Sequence, residues 1–273
     1  MLRTGPATGF LTAGLLVSAL SGCAVGGGPS AASPAATDRT GSDRAGSDRP
    51  ATPSPTGRAH PGFGLGTRGQ DEKAFPAYSA TSVVRRLPVY TSVGGPVTRT
   101  LTDPQPSGAP LVLLVLSRAP GWLQVQLPVR PNGTTGWVLA RDVRLSGLRY
   151  RLDVHLATHR LDVVDRGTVL RHFPIGVGTR DTPTPGGTFY LKELLQPPDP
   201  SGPYGPFAYG LSGYSTRLTS FAGGDGVIGI HGTDDPTAVG RDVSHGCIRL
   251  RNVDITALTR LLPLGTPVRI LAD

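Results

Sequence analysis

Four consecutive residues near the C-terminus, Ser244-His245-Gly246-Cys247, bring together a hydroxyl, an imidazole, a turn-former and a thiol. A second imidazole, His231, stands sixteen positions upstream. A thiolate is a strong nucleophile, but an unperturbed thiol with a pKa near ~8.5 is only a few per cent ionised at neutral pH. A histidine that accepts the proton, and a glycine that lets the backbone bend until thiol and base meet, are what turns such a thiol into a working group. The other cysteine of the chain, Cys23, closes an N-terminal segment with the features of an export signal. Cys247 therefore has no disulfide partner in the mature protein, and a lone thiol in an oxidising compartment is a liability unless it is buried or working. His155, His159 and His172 show no metal-like spacing and are assigned no chemistry; no metal site and no nucleotide motif is expected.

The elements that must position these groups read mainly as strands. Val227-Ile228-Gly229-Ile230 is a short apolar run expected to be a buried strand that delivers His231 at its end. Leu161 to Val164 and Thr168 to Val177, joined by Asp165-Arg166-Gly167, read as a hairpin; Phe189 to Leu191 and Pro267 to Leu271 read as further strands. Asn252 looks like an N-cap ahead of Ile255, Leu258 and Leu262 at helical spacing, with Pro263 after the last turn. From about Gln196 to Ser215 the chain is crowded with Pro, Gly and aromatics, among them Tyr204, Phe207, Tyr209 and Tyr214, without periodicity. A loop of that length in a compact domain is usually functional, which makes it a candidate lid and Tyr214 a candidate substrate contact.

Upstream the organisation changes twice. Arg3, the apolar run Phe10 to Leu20 and the small residues after it have the layout of a signal peptide over residues 1–22, and the run is too short to span a membrane. Its end, Leu20-Ser21-Gly22-Cys23, resembles a bacterial lipobox, which implies cleavage before Cys23 and lipid attachment there. Residues 23–78 are dominated by Gly, Pro, Ser, Ala and Thr, with the small repeat Gly41-Ser42-Asp43-Arg44 and Gly46-Ser47-Asp48-Arg49, and are expected to be a disordered tether. Residues 79–146 alternate short apolar runs with turn signals: Leu87 to Tyr90, Leu111 to Leu116, Trp122 to Leu127 and Gly136 to Leu139, with Asn132-Gly133 as a turn pair. In Leu123-Gln124-Val125-Gln126-Leu127 the alternation gives one buried and one wet face, so a small β-barrel is expected. Gly121-Trp122-Leu123-Gln124-Val125 and Gly136-Trp137-Val138 resemble the bacterial Src-homology-like barrels of cell-wall proteins; the two tryptophans suit barrel packing better than ligand stacking. Most of the formal charge of +8 lies in the first half of the chain, where residues 24–147 hold thirteen basic and seven acidic side chains against thirteen and twelve in residues 148–273. That excess suits anionic lipid or wall polymers, and an exported chain argues against nucleic acid.

His231-Gly232-Thr233 and Ser244-His245-Gly246-Cys247-Ile248-Arg249-Leu250 resemble the signature of the L,D-transpeptidases with a YkuD-type catalytic domain. Thr182-Pro183-Thr184-Pro185-Gly186 and Gly265-Thr266-Pro267-Val268 extend the likeness over nearly all of residues 147–273, although part of the family has Asn where this chain has Arg249. The architecture expected is thus a mainly β protein: a disordered tether, a small barrel and, by the resemblance, a β-rich catalytic domain with a short C-terminal helix. It implies a cofactor-free cysteine acyltransferase in which Cys247 attacks a peptidoglycan stem peptide, His231 accepts the proton and a neighbouring stem amine resolves the thioester into a 3→3 cross-link. His245 is expected to line the site, the N–H groups of Gly246 and Cys247 to face the oxyanion, Arg249 to grip a substrate carboxylate, and Ser244 to support the turn beside the substrate. The partners implied are donor and acceptor stem peptides and, through the lipid on Cys23, the outer face of the cell membrane, with the protein acting as a monomer.

Two rivals stay open at this point. A carboxypeptidase would use the same cysteine and histidine with water as acceptor, and a non-catalytic wall-binding lipoprotein would rely on the barrel alone. Papain-like and NlpC-type enzymes place cysteine before histidine, the reverse of the order here, and sortases separate histidine and cysteine more widely.

Overall fold

A computed structural model describes residues 77–220 and 224–273. The expected signal segment, Cys23 and the expected tether as far as residue 76 lie outside the described residues, while Ala77 and Tyr78, placed in the tether by composition, open the first strand. Among the described residues no helix is long and apolar enough to cross a membrane.

Seven strands form the first sheet: β1 (Ala77–Ser82), β2 (Arg86–Tyr90), β3 (Val97–Thr102), β4 (Val112–Ala119), β5 (Trp122–Gln126), β6 (Thr135–Leu139) and β7 (Val143–Leu148). Every pairing is antiparallel, in the order β3-β2-β6-β5-β4-β1-β7. The expected alternation holds on β5, where Leu123 and Val125 are buried with Leu87, Val89, Leu113 and Val138 in one apolar cluster. Trp122 packs edge-on against Tyr90, with ring centroids 4.9 Å apart. Gln126 departs from the expectation of a wet face: it is buried, and its Nε2 donates to Thr188 O at 2.7 Å. The strand β3 is missing from the sequence reading because it is almost wholly exposed and carries no apolar alternation.

The remainder forms β8 (Tyr150–His155), β9 (Arg160–Asp165), β10 (Thr168–Pro174), β11 (Val177–Gly178), β12 (Gly187–Leu195), β13 (Ala208–Tyr214), β14 (Val227–His231), β15 (Asp242–Ser244), β16 (Ile248–Arg249), α1 (Asn252–Thr259) and β17 (Pro267–Leu271). Eight of these strands make one mixed sheet in the order β10-β9-β8-β17-β12-β13-β14-β16, while β11 and β15 pair in parallel beside it. Ile255 and Leu258 of α1 join Leu191, Leu211, Ile228, Ile230 and Ile248 in the core. Each such side chain, fully removed from water, contributes about 1.5–3 kcal/mol. On β14 the burial has period two: Ile228 and Ile230 point into this core, whereas Val227 and Gly229 face outward.

Two expectations are corrected here. Asn252 is the first residue of α1 and not its cap, a position taken by Arg251 without a side-chain capping bond; the Asn252 carboxamide is engaged elsewhere. The stretch from Gln196 to Ser215 is a loop only as far as Phe207, because Ala208 to Tyr214 form β13, whose pairing with β12 and β14 overrides the Gly- and aromatic-rich composition.

The two sheets are packed together along β12. Tyr190 of that strand is fully buried in the apolar cluster of the first sheet, and Gln105 Nε2 reaches Lys192 O at 3.3 Å. Burial holds the Tyr190 phenol far above its ordinary pKa, so it is a neutral, apolar anchor.

Candidate active site

The site is assembled at one end of β14. Parallel pairing sets Ile230 opposite Ile248 and His231 opposite Arg249, so Cys247, one residue before β16, falls beside Gly229. The Gly229 N–H donates to Cys247 Sγ at 3.3 Å. A Cβ on Gly229 would lie 3.7 Å from His231 Cδ2 and 3.8 Å from Cys247 Sγ, so imidazole and sulfur both border the one residue of the strand that has no side chain.

His231 is 4 % exposed, and its Nδ1 lies 2.6 Å from Gly232 O. A carbonyl only accepts, which makes Nδ1 the protonated nitrogen and leaves the Nε2 lone pair as the base. Burial lowers the imidazole pKa to about 4, against the Gly232 hydrogen bond and with help from the Arg249 charge. Burial also raises the Cys247 thiol, opposed by the Gly229 N–H and by Arg249. Thiol and imidazole therefore rest as a neutral pair at pH 7.

The carbonyl that orients His231 is itself held. Asn252 Oδ1 accepts from Thr233 N at 2.9 Å, and a Cβ on Gly232 would collide with that oxygen at 2.3 Å. The nucleophile loop is fixed from the other side. Ser244, buried, donates from Oγ to Cys247 O at 2.6 Å and accepts from Gly246 N at 3.0 Å, while Thr179 N and Thr182 Oγ1 donate to Ser244 O. Gly246 has φ +117°, a conformation for glycine, and a Cβ there would press on Ile228 Cδ1 at 2.9 Å. Its N–H belongs to Ser244 Oγ, which corrects the expectation that it faces an oxyanion.

A cavity of about 510 Å³ opens in front of the pair, lined by Cys247, His231, Gly229, Tyr204, Pro197 and Gly226 among others. Tyr204, from the loop after β12, stacks edge-on against His231 at 5.0 Å. Arg249 is partly buried, its Nε has no hydrogen-bond partner, and its charge is felt at Cys247, His231 and Tyr204. The cavity thus joins a nucleophile and a base, with the Arg249 charge close enough to act on both.

Of the residues singled out from the sequence, Cys247 and His231 line the cavity, Ser244 and Gly246 hold the Cys247 turn behind it, and Arg249 acts on the pair through its charge. His245 is exposed on the turn and does not line the cavity. Tyr214 lies elsewhere: its hydroxyl donates to Pro128 O at 2.7 Å, against the first sheet. Three participants escaped the sequence reading. Gly229 carried a signal, a glycine inside an apolar strand; Tyr204 was one aromatic among several; Asn252 had a helix cap as its simpler local explanation.

A family model described as the YkuD L,D-transpeptidase catalytic domain matches residues 149–270. Bacillus licheniformis YkuD, an L,D-transpeptidase by name, is 33 % identical over 154 residues, covering 54 % of this chain and 85 % of its own. Its Bacillus subtilis namesake is 31 % identical over 150 residues, covering 53 % and 83 %. The solved L,D-transpeptidase from Mycobacterium smegmatis aligns with 59 % of this chain and 90 % of its own at 17 % identity and a TM-score of 0.38.

Proposed function

Because the chain belongs to the L,D-transpeptidase family of YkuD-type catalytic domains, we propose that it is a cysteine acyltransferase that cross-links peptidoglycan stem peptides by the 3→3 route. The observation that carries this reading is that the Cys247 sulfur and the His231 imidazole both flank Gly229 and both line one cavity large enough for a peptide.

From a neutral pair the chemistry is general-base catalysis. As Cys247 Sγ bonds to the carbonyl carbon of the third stem residue, the thiol proton passes to His231 Nε2. The amide C–N bond to D-alanine then breaks, and the same proton leaves with the alanine nitrogen. The amine of a second stem attacks the thioester, gives its proton to His231 and displaces the sulfur, which recovers a proton from the imidazole. Gly232 O steadies the imidazolium formed in each half-reaction. With the Gly246 N–H committed, the Cys247 N–H is the backbone donor left for the oxyanion. Arg249, with an unpartnered Nε, suits a substrate carboxylate. Lipid attachment at Cys23 would place this chemistry at the outer face of the membrane, within reach of the wall.

Purified stem tetrapeptides incubated with the protein and resolved by mass spectrometry test the reading. A cross-linked dimer minus one D-alanine is expected. A tripeptide alone would make the protein a carboxypeptidase, and unchanged tetrapeptide would favour a wall-binding lipoprotein.

A further inference from the structure

We propose that Arg130 and Asn132, on the loop between β5 and β6, are positioning residues of the catalytic cavity, so that the first sheet is a working part of the active site and not only a separate wall-facing module. The proposal rests on the acyl-transfer reading above, and it deepens that reading by assigning part of the substrate wall to residues more than ninety positions from the nucleophile.

The connection from β13 to β14 leaves the sheet at Tyr214 and returns at Val227, closed by Ser215 N donating to Gly226 O at 2.8 Å. On its returning side Gly224, Asp225, Gly226 and Val227 line the cavity that contains Cys247 and His231. Both sides of this connection are held from the first sheet. The Arg130 guanidinium donates to Ser215 O at 2.8 Å and Leu218 O at 2.9 Å on the outgoing side, and to Asp225 O at 3.0 Å on the returning one. One planar fork thus fixes the separation of the two sides, a spacing that the rotatable donors of an ammonium do not preset. Asn132 completes the hold: Nδ2 donates to Tyr214 O at 2.8 Å and Oδ1 accepts from Tyr214 N at 2.9 Å, so its amide group pairs with the strand end as a neighbouring strand would. The Tyr214 ring lies under the Arg130 guanidinium at 4.8 Å.

These contacts differ in kind from the rest of the junction. Tyr190 and Gln126 already dock the two sheets along β12, through buried groups. Arg130 is exposed, and its bonds go to main-chain carbonyls of one connection. Exposed polar contacts add little to global stability, so their consequence is local order in the wall that leads into β14, two residues before Gly229.

The test compares three readouts in the full chain carrying Arg130→Ala or Asn132→Ala. With stem tetrapeptide, Arg130→Ala should lower kcat/KM at least about tenfold, with most of the loss in KM; Asn132→Ala should lower it less, and Arg130→Lys should not restore it. Alkylation of Cys247 by iodoacetamide, which needs no cavity wall, should stay within about twofold of the parent. Hydrogen exchange at Gly226 to Gly229 should speed up in Arg130→Ala, a readout that needs no substrate. If the parent fails to turn over stem peptides while that exchange still rises, the functional reading falls and the positioning role stands. Unchanged kcat/KM and exchange in both alanine variants, or alkylation slowed as much as turnover, would overturn the proposal.

Discussion

At the scale of residues, the decisive quantity is the charge state of the resting pair. Burial keeps the His231 imidazole neutral down to about pH 4 and keeps Cys247 a thiol above its ordinary range, so the proton must move during attack. The base is already in its accepting form throughout the neutral range. The acid limb of kcat/KM should therefore follow an apparent pKa near 4 and not the ~6.5 of an ordinary histidine. A pH–rate profile that breaks near 6.5 would show that the imidazole is solvated in the working enzyme. The same shift links to stability. The native state holds neutral histidine more tightly than the unfolded chain, so this contribution is present above pH 6.5 and is lost as the pH falls towards 4. It amounts to about 3 kcal/mol, the product of the shift and ~1.4 kcal/mol per pKa unit.

At the scale of elements, β14 and β16 bring histidine and cysteine together, and α1 keeps them so. Asn252, at the start of α1, accepts from Thr233 N and fills the space beside Gly232, whose carbonyl orients His231. Asn252→Ala would leave that N–H without a partner, at about 1–3 kcal/mol, and free the carbonyl to move. Turnover should fall about tenfold or more, while Asn252→Asp, which retains an oxygen acceptor, should recover most of it; equal losses in both variants would mean that the amide N–H2 carries the role. Much of this architecture was legible in the sequence. The run Val227 to Ile230 announced a strand ending in a histidine, and Ile255 with Leu258 announced the helix that packs beneath it. What stayed hidden depends on contacts that no local pattern displays. Asn252 has a local explanation as a cap that only its Thr233 partner displaces, β13 has the composition of a loop, and the Gly246 N–H is taken by a serine hydroxyl two residues away.

At the scale of the whole molecule, the described residues join two sheets through a shared aromatic anchor, Tyr190, and through the Arg130 and Asn132 hold on the cavity wall. The wet face expected of the first sheet is partly a docking face, as Gln126 shows, and no sequence pattern distinguishes a glutamine facing water from one facing another sheet. The chain as a whole also offers a direct chemical readout, because it has two cysteines and Cys247 is the one cysteine among the described residues. Intact-mass measurement of the protein mixed briefly with stem tetrapeptide, followed by peptide mapping, therefore tests the central assignment most directly. The expected result is a mass increase equal to the stem tripeptide acyl group, carried on the peptide containing Cys247, chased away by an acceptor amine and absent from Cys247→Ser, whose turnover should fall on the order of a thousandfold or more. An adduct on any other residue, or cross-linking by Cys247→Ser at the parent rate, would contradict it.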